Sequence, residues 1–420
     1  MYQTTKFRSG IRVATASMPQ MASVCVGLWV NVGGRHETAA QNGAAHFIEH
    51  MLFKGTRDRT ARDISEEIEG LGGYLNAFTG EENTCYYAKA SSKHLPTLLA
   101  VLFDMFLNSR FPPEEIEKER EVILEENAMY LDQPHQLVLE KLNEVLWPKH
   151  PLGRPITGTS QSLRRLDRQN LLRFHDQHYK SANILLVGAG HIEHADLIRQ
   201  AKTFSKRIPT GMRSTFQQVG ALADRLRCKM IERRVEQSQL AISFKTCSRH
   251  DPRRYALQVL NTILGENMSS RLFQILREER GLAYSVYSNI SSFEDAGTLT
   301  ITAGLDPEKL DIALQLIDRE LRRLRDEPPS KDELQRATQY LVGQLDLHLE
   351  STENHMIWIG EQLLGFNHIK SVTSIKQKIL KVTPAKVQAV ANDFFQRNLA
   401  RIALVGPRTQ KAGARRRFLI

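Results

Sequence analysis

Asn183-Ile-Leu-Leu-Val-Gly188 returns 218 residues later as Arg401-Ile-Ala-Leu-Val-Gly406. In both places a polar helical stretch leads into a short apolar, strand-like run ending in glycine. Further upstream, Ser23-Val-Cys-Val-Gly-Leu-Trp-Val30 ends near Gly34-Arg-His-Glu37. It has a counterpart at an offset of 214 in Gln237-Ser-Gln-Leu-Ala-Ile-Ser-Phe244, which ends near Ser248-Arg-His-Asp251. Two offsets that agree within four residues point to an internal duplication. The 420 residues then divide into homologous domains at 1–210 and 228–420, joined by a linker at 211–227. That stretch follows Pro209-Thr-Gly211 and contains Gly220, and its weak helical periodicity suits an exposed connection.

Within each half, strands and helices alternate without the strict rhythm of a doubly wound parallel sheet. Ala61–Leu71 is amphipathic and stops at Gly72-Gly73, a common helix terminator. Tyr74–Ala77 and Thr84–Ala90 form paired strands about the turn Gly80-Glu-Glu-Asn83. Pro112-Pro113 opens a long acidic helix from Glu114 to about Tyr130. The expected class is α+β: two homologous domains, each a mostly antiparallel sheet with helices packed on one face.

Composition removes several functional classes. Apolar residues at 41% and charged residues at 25% match a globular protein and exclude global disorder. No run reaches the ~18–20 apolar residues of a membrane span. The opening MYQTTKFRSGIRV lacks the apolar segment of a secretory signal, so the expected location is cytoplasmic unless a leader has been removed. Of the net charge of +10, five units come from Arg408, Lys411, Arg415, Arg416 and Arg417 near the C-terminus. The remaining body is close to ordinary, and nucleic acid is not an expected partner. The cysteines, Cys25, Cys85, Cys228 and Cys247, have no metal-binding spacing, and three of them sit in strand-like runs that fit small buried apolar positions.

The sharpest chemical signal is His46-Phe-Ile-Glu49-His50. On a helix, residues four apart share a face, so His46 and His50 can hold one metal while Glu49 stands beside them. Neutral imidazoles suit zinc, which acidifies bound water toward a pKa of ~7, and a carboxylate can then take a proton. The order H-x-x-E-H is the inverted form of the common zinc-peptidase motif. A catalytic zinc needs a third protein ligand. Glu119 and Glu126, seven apart on the acidic helix, can face the same way, but spacing alone does not single out Glu126.

With Glu126 lying 76 residues after His50 inside Glu119-Arg-Glu-Val-Ile-Leu-Glu-Glu126, the set resembles the pitrilysin/insulinase family of zinc peptidases. It is most similar to the mitochondrial processing peptidases and their single-chain bacterial relatives. Supporting segments are Gly55-Thr56, Leu75-Asn-Ala77, His150-Pro-Leu-Gly-Arg-Pro-Ile-Thr-Gly-Thr159, and Ser270-Arg-Leu-Phe273 through Gly281-Leu-Ala-Tyr-Ser285, so the likeness spans residues 1–406. It implies one Zn²⁺ per chain on His46, His50 and Glu126, with Glu49 as general base. Glu119 resembles the family's second helix carboxylate, which can orient a ligand histidine. Phe53 and the strand bearing Asn76 and Ala77 resemble the parts that take an extended peptide by strand addition. Arg277 and Tyr284 resemble a pair that reaches the substrate from the partner half, the tyrosine toward the developing oxyanion.

The resemblance further implies a four-repeat chamber, hence a homodimer of this two-repeat chain, with a heterodimer containing a zinc-less sister subunit as the alternative. The expected activity is endoproteolysis of extended peptides or unfolded segments. Another class stays open: a non-peptidase scaffold, like the respiratory-complex core proteins that share the fold but typically lose the ligands. At the 214 offset, His46, Glu49 and His50 fall opposite Leu260, Ile263 and Leu264, so the second half lacks the metal set. His191-Ile-Glu-His194 is one residue short of the motif and fits a solvated turn, and His175 and His178 fit structural positions on a polar helix. Gly188-x-Gly190 lacks a third glycine and an expected following helix, so it is no nucleotide fingerprint.

Overall fold

The computed structural model describes residues 2–220 and 227–407; the basic C-terminal segment and part of the expected linker lie outside the described residues. The first half of the chain supplies strands β1 (Tyr2–Lys6), β2 (Arg12–Ser17), β3 (Ser23–Val30), β4 (Tyr74–Thr79), β5 (Thr84–Ser91) and β6 (Ile184–Gly190). Its helices are α1 (Ala44–Leu52), α2 (Ala61–Glu69), α3 (Leu95–Asn108), α4 (Pro113–Asp132), α5 (Pro134–Leu146), α6 (Ser160–Leu163), α7 (Arg168–His178) and α8 (His194–Ser205). The second half supplies strands β7 (Arg227–Glu232), β8 (Ser238–Thr246), β9 (Ala283–Ser292), β10 (Gly297–Leu305) and β11 (Ala400–Gly406). Its helices are α9 (Arg254–Asn261), α10 (Leu310–Asp326), α11 (Lys331–His348), α12 (Thr352–Phe366), α13 (Val372–Leu380) and α14 (Pro384–Phe394). Wide helical turns at Thr262–Glu266 and Phe273–Glu278 follow α9.

The duplication seen in the sequence is matched by five strands of each sheet, and β1 has no counterpart in the second. The first sheet runs β1-β2-β6-β3-β5-β4 and the second β7-β11-β8-β10-β9. Each sheet has one parallel pair, β2 with β6 and β7 with β11; the other neighbours are antiparallel. The two echoed segments, β6 and β11, occupy the same place in their sheets. The class is α+β, as read from the sequence.

Helices supplied by each half cover one face of that half's sheet. Val24, Val26, Leu28 and Val30 of β3 point into a core shared with Phe47, Leu98, Leu102 and Phe174. In the second half, Leu240, Ile242 and Phe244 of β8 do the same with Leu260, Leu314 and Val387. The opposite faces are covered too, and by the other half of the sequence. Gly27 and Trp29 of β3 meet Met356 and Gly360 of α12, which belongs to the second half. Ala241, Ala403 and Val405 pack with Leu137, Val138 and Leu142 of α5, from the first half. Burial on both faces explains why β3 and β6 read as unbroken apolar runs.

The chain therefore falls into two compact units that are not contiguous halves. One comprises residues 1–128, 154–217 and 347–369; the other comprises 129–153, 218–346 and 370–420. A helical moment reports which side of a helix is apolar but carries no address, so an exchange of α5 and α12 leaves no local trace. The helix α8 also opens four residues after Gly190, where no helix was expected. His194, its first residue, is held between strands, with Nε2 at 2.9 Å from Thr5 Oγ1 and Nδ1 at 2.9 Å from Thr15 Oγ1, rather than lying in a solvated turn. His178 is buried and bonds Ser214 Oγ at 2.8 Å. All four cysteines are free. Among the described residues, no helix is long and apolar enough to cross a membrane.

Candidate metal centre

The first unit contains the histidine motif on α1. This helix starts at Gly43, whose φ of +94° is left-handed and whose missing side chain admits Thr157 O and Gly158 Cα at 2.9 Å from where a Cβ would stand. The N–H groups that the helix leaves without partners at its first turn are received by a buried carboxylate. Glu37 Oε2 accepts from Gly43 N at 2.8 Å and Asn42 Nδ2 at 3.2 Å, and Oε1 accepts from Ala45 N at 2.8 Å. Burial pushes the Glu37 carboxyl up to about 7 against the pull of those donors. Phe47, Ile48, Met51 and Leu52 anchor the other side of α1 in the core, which fixes the direction in which His46, Glu49 and His50 project.

The helix α4 brings the acidic residues across. One ligand atom from each of His46, His50 and Glu126 lies within 4.8 Å of the others. Glu126 Oε2 is 3.8 Å from His46 Nε2 and 3.9 Å from His50 Nε2, too far for a hydrogen bond to either. That oxygen is buried and has no hydrogen-bond donor, and the same is true of partners for His46 Nδ1. A buried carboxylate oxygen left in this way is costly unless a cation stands among the three groups. Burial, reinforced by the nearby His50, pushes the His46 imidazole down to about 3, so it is neutral and able to ligate. Two imidazoles and one carboxylate in this arrangement fit a zinc ion.

Around these three groups, Glu119 Oε2 accepts from His50 Nδ1 at 3.0 Å, and its other oxygen meets Lys54 Nζ at 2.6 Å. Burial works against the Glu119 carboxylate, but the bonds from His50 and Lys54 outweigh it and hold the group below its usual pKa. With Nδ1 engaged by Glu119, Nε2 is the His50 nitrogen that faces Glu126. Glu49 Oε2 accepts from Thr79 Oγ1 at 2.5 Å. Burial raises the Glu49 carboxyl, and the Thr79 bond only partly offsets this. Thr79, Lys54 and Glu37 carry no sequence signal. Each lies at an irregular spacing from the group it holds, and the motif pattern does not require it.

Phe53 caps α1 and packs against the core. Asn76 and Ala77 lie on β4, the edge strand of the first sheet. Asn76 is exposed, and its Oδ1 accepts from Ala77 N at 2.8 Å. Glu353 of α12 accepts a bond from Tyr74 at the start of β4. Arg277 and Tyr284 belong to the second unit. Tyr284 is 75% exposed on β9, the edge strand of that sheet, so its hydroxyl-bearing ring is open to a ligand. The Arg277 guanidinium lies 5.7 Å from the Tyr284 ring centroid and 5.0 Å from that of Phe273. At the positions matching the histidine motif, Leu260, Ile263 and Leu264 are buried in the second core, so that unit has no metal ligands there.

The chain belongs to the insulinase family, peptidase family M16. The profile described as Insulinase (Peptidase family M16) matches residues 12–160, and that described as Peptidase M16 inactive domain matches residues 165–341. Proteins named as uncharacterized zinc proteases are similar over nearly the whole chain. One from Streptomyces coelicolor is 37% identical, covering 98% of this chain and 91% of its own. One from Bacillus subtilis is 36% identical, covering 95% and 97%. Among solved structures, a protease from Helicobacter pylori superposes with a TM-score of 0.91 at 21% identity, covering 97% of this chain and 99% of its own. A Pseudomonas fluorescens structure described as a peptidase M16 inactive domain gives 0.90 at 21% identity, covering 97% and 98%. These two show the same fold.

Proposed function

We propose that the protein is a zinc-dependent endopeptidase acting on extended peptides or unfolded segments. The observation that carries this reading is the orphaned Glu126 oxygen facing two imidazole nitrogens at 3.8 and 3.9 Å. His46, His50 and Glu126 would hold one zinc per chain, which when bound supplies a Lewis acid that acidifies water and polarises a carbonyl. Glu119, braced by Lys54, keeps the His50 proton on Nδ1 and so presents Nε2 to the metal.

Glu49 is the general base. It takes the proton of the attacking water and returns it to the leaving nitrogen, and its raised proton affinity suits both transfers. Thr79 fixes the carboxylate's direction through the 2.5 Å bond. The peptide would lie along β4, beside Asn76 and Ala77 and near Phe53, bound through its backbone. Addition of that strand requires Asn76 Oδ1 to release the Ala77 N–H. The Tyr284 hydroxyl would donate to the oxyanion, with Arg277 positioning the ring or the substrate.

The chain would work as a homodimer, the first half of one copy facing the second half of its mate; a heterodimer with a zinc-less sister is the alternative. Mixing Glu49→Gln chains with Tyr284→Phe chains tests this: partial recovery of cleavage supports action in trans, and no recovery rejects the homodimer. The central test is metal content together with cleavage of a mixed peptide library. Wild type should carry one zinc per chain and cleave. Glu49→Gln should keep the zinc and lose ~10²–10⁴-fold in rate, the usual range for a general base. A Glu49→Gln protein that cleaves like wild type overturns the mechanism, and a protein that takes up no zinc favours the scaffold reading.

A further inference from the structure

The segment Arg154-Pro-Ile-Thr-Gly-Thr159 touches both helices that carry the metal centre. On the α1 side, Arg154 Nη2 donates to the Glu37 carbonyl at 3.0 Å, and the Pro155 carbonyl accepts from Asn42 Nδ2 at 2.9 Å. Gly158, with a left-handed φ of +84°, meets the entry of α1 backbone to backbone: a Cβ there would stand 2.8 Å from Asn42 O and 3.0 Å from Gly43 Cα. On the α4 side, buried Asn127 donates from Nδ2 to the Gly158 carbonyl at 3.0 Å. One nitrogen of buried Arg120, Nη1, donates to the Leu163 carbonyl and, at 2.8 Å, to that of Leu166. The rest of the guanidinium meets exposed Glu117, an ion pair of small weight.

These two donors are in step with the two acids. Asn127 follows Glu126 and Arg120 follows Glu119, so each pair is seven residues apart, about 10.5 Å along the helix. Successive residues point about 100° apart, so the acids can face α1 while the donors reach residues 158–166. Two anchors at that separation fix both the rotation and the tilt of α4. Ile116 and Ile123 also seat the helix on the core, but apolar contact has no direction, whereas a hydrogen bond does. A turn of α4 by about 20° would carry a carboxylate ~5–6 Å from the axis through about 2 Å, the length of a zinc–oxygen bond.

We propose that Asn127 and Arg120 are positioning residues for the metal centre. By bonding to Gly158, Leu163 and Leu166 they set the rotation of α4, and with it the place of Glu126 against His46 and His50. Because residues 154–158 also hold the entry of α1, both helices are referenced to one piece of backbone. The inference rests on the zinc reading of His46, His50 and Glu126.

Titration of the metal-free full chain with Zn²⁺ against a chelator, well below its melting temperature, tests this. Asn127→Leu and Arg120→Met should each weaken zinc by about tenfold, the scale seen when support around a metal ligand is lost. Arg120→Lys should bind within about threefold of wild type, because a single nitrogen serves both carbonyls. Gly360→Ala, which crowds Trp29 elsewhere in the same unit, should leave zinc affinity unchanged and so separates lost position from lost stability. If circular dichroism shows that Arg120→Met misfolds, Asn127→Leu decides. A wild type that binds zinc, matched by both variants within about twofold, overturns this inference and leaves the metal reading standing. Gly360→Ala losing as much as Asn127→Leu, or Arg120→Lys as much as Arg120→Met, overturns it too. A wild type that takes up no zinc overturns the metal reading and this inference with it.

Discussion

Replacing Glu119 by glutamine isolates the support given to His50. The carboxylate is 4% exposed and accepts on both sides, from His50 Nδ1 at 3.0 Å and Lys54 Nζ at 2.6 Å. Glutamine has the same shape but one acceptor oxygen, so its amide NH₂ must confront either the His50 or the Lys54 donor. Lys54 is the stronger claimant on that oxygen because it is charged, which leaves the NH₂ against His50 Nδ1–H. The imidazole then turns away or moves its proton to Nε2, and either change withdraws the lone pair that faces Glu126. Loss of such a supporting carboxylate typically weakens metal affinity by ~10–100-fold, about 1.4–2.7 kcal/mol. Competition against a zinc chelator measures this directly. Thermal melting of the metal-free variant should change less, because the lost bonds are partly replaced. Zinc affinity unchanged within twofold, with the fold intact, would refute the claim that Glu119 sets the histidine's tautomer.

Three further outcomes follow from the packing and charge of the two units. A Cβ at Gly360 of α12 would stand inside van der Waals contact of the Trp29 ring, so Gly360→Ala should destabilise the protein by ~1–3 kcal/mol in denaturant unfolding; no loss would mean that α12 does not cover β3 this closely. Glu37→Gln keeps the size but leaves one of three buried donors at the start of α1 without an acceptor, an expected loss of ~1–3 kcal/mol by the same measurement. Lys245 Nζ is buried without a hydrogen-bond partner, 3.5 Å from the Trp147 ring centroid, and burial followed by Arg401 pushes its pKa down to about 7. A folded pKa below the unfolded value means that the folded state binds fewer protons between pH 7 and about 10.4, so stability from this group rises across that window and is lost as pH falls through 7. Lys245→Met should therefore raise the melting temperature most near pH 6–7, and its advantage should shrink toward pH 10; a constant difference would argue against a buried, discharged lysine.

Much of the site was legible because its parts are local. Four-residue spacing puts His46 and His50 on one face of any helix, and Glu49 beside them, whatever surrounds it. The choice between Glu119 and Glu126 was not legible from spacing. Seven residues apart on α4, both can face α1, and only the distances between the two helices separate them. Glu126 approaches both Nε2 atoms, whereas Glu119 reaches behind His50 to Nδ1. Thr79 and Lys54 were hidden for the same reason, since a hydrogen bond between β4 and α1 depends on the distance between two elements and not on either pattern.

By itself the sequence determined the α+β class, the duplication and the lone His46-x-x-Glu49-His50 pattern, since the offset echoes and helical periodicity are properties of the chain read in order. The tertiary structure decided which sheet each helix covers. Residues 129–153 complete the second unit and 347–369 the first, so α5 and α12 cover the sheets built by the opposite halves. Amphipathic pattern specifies an apolar face but not its partner, and α12 is matched to β3 by Gly360 against Trp29 and Met356 against Gly27, a fit of shapes more than 300 residues apart in the chain.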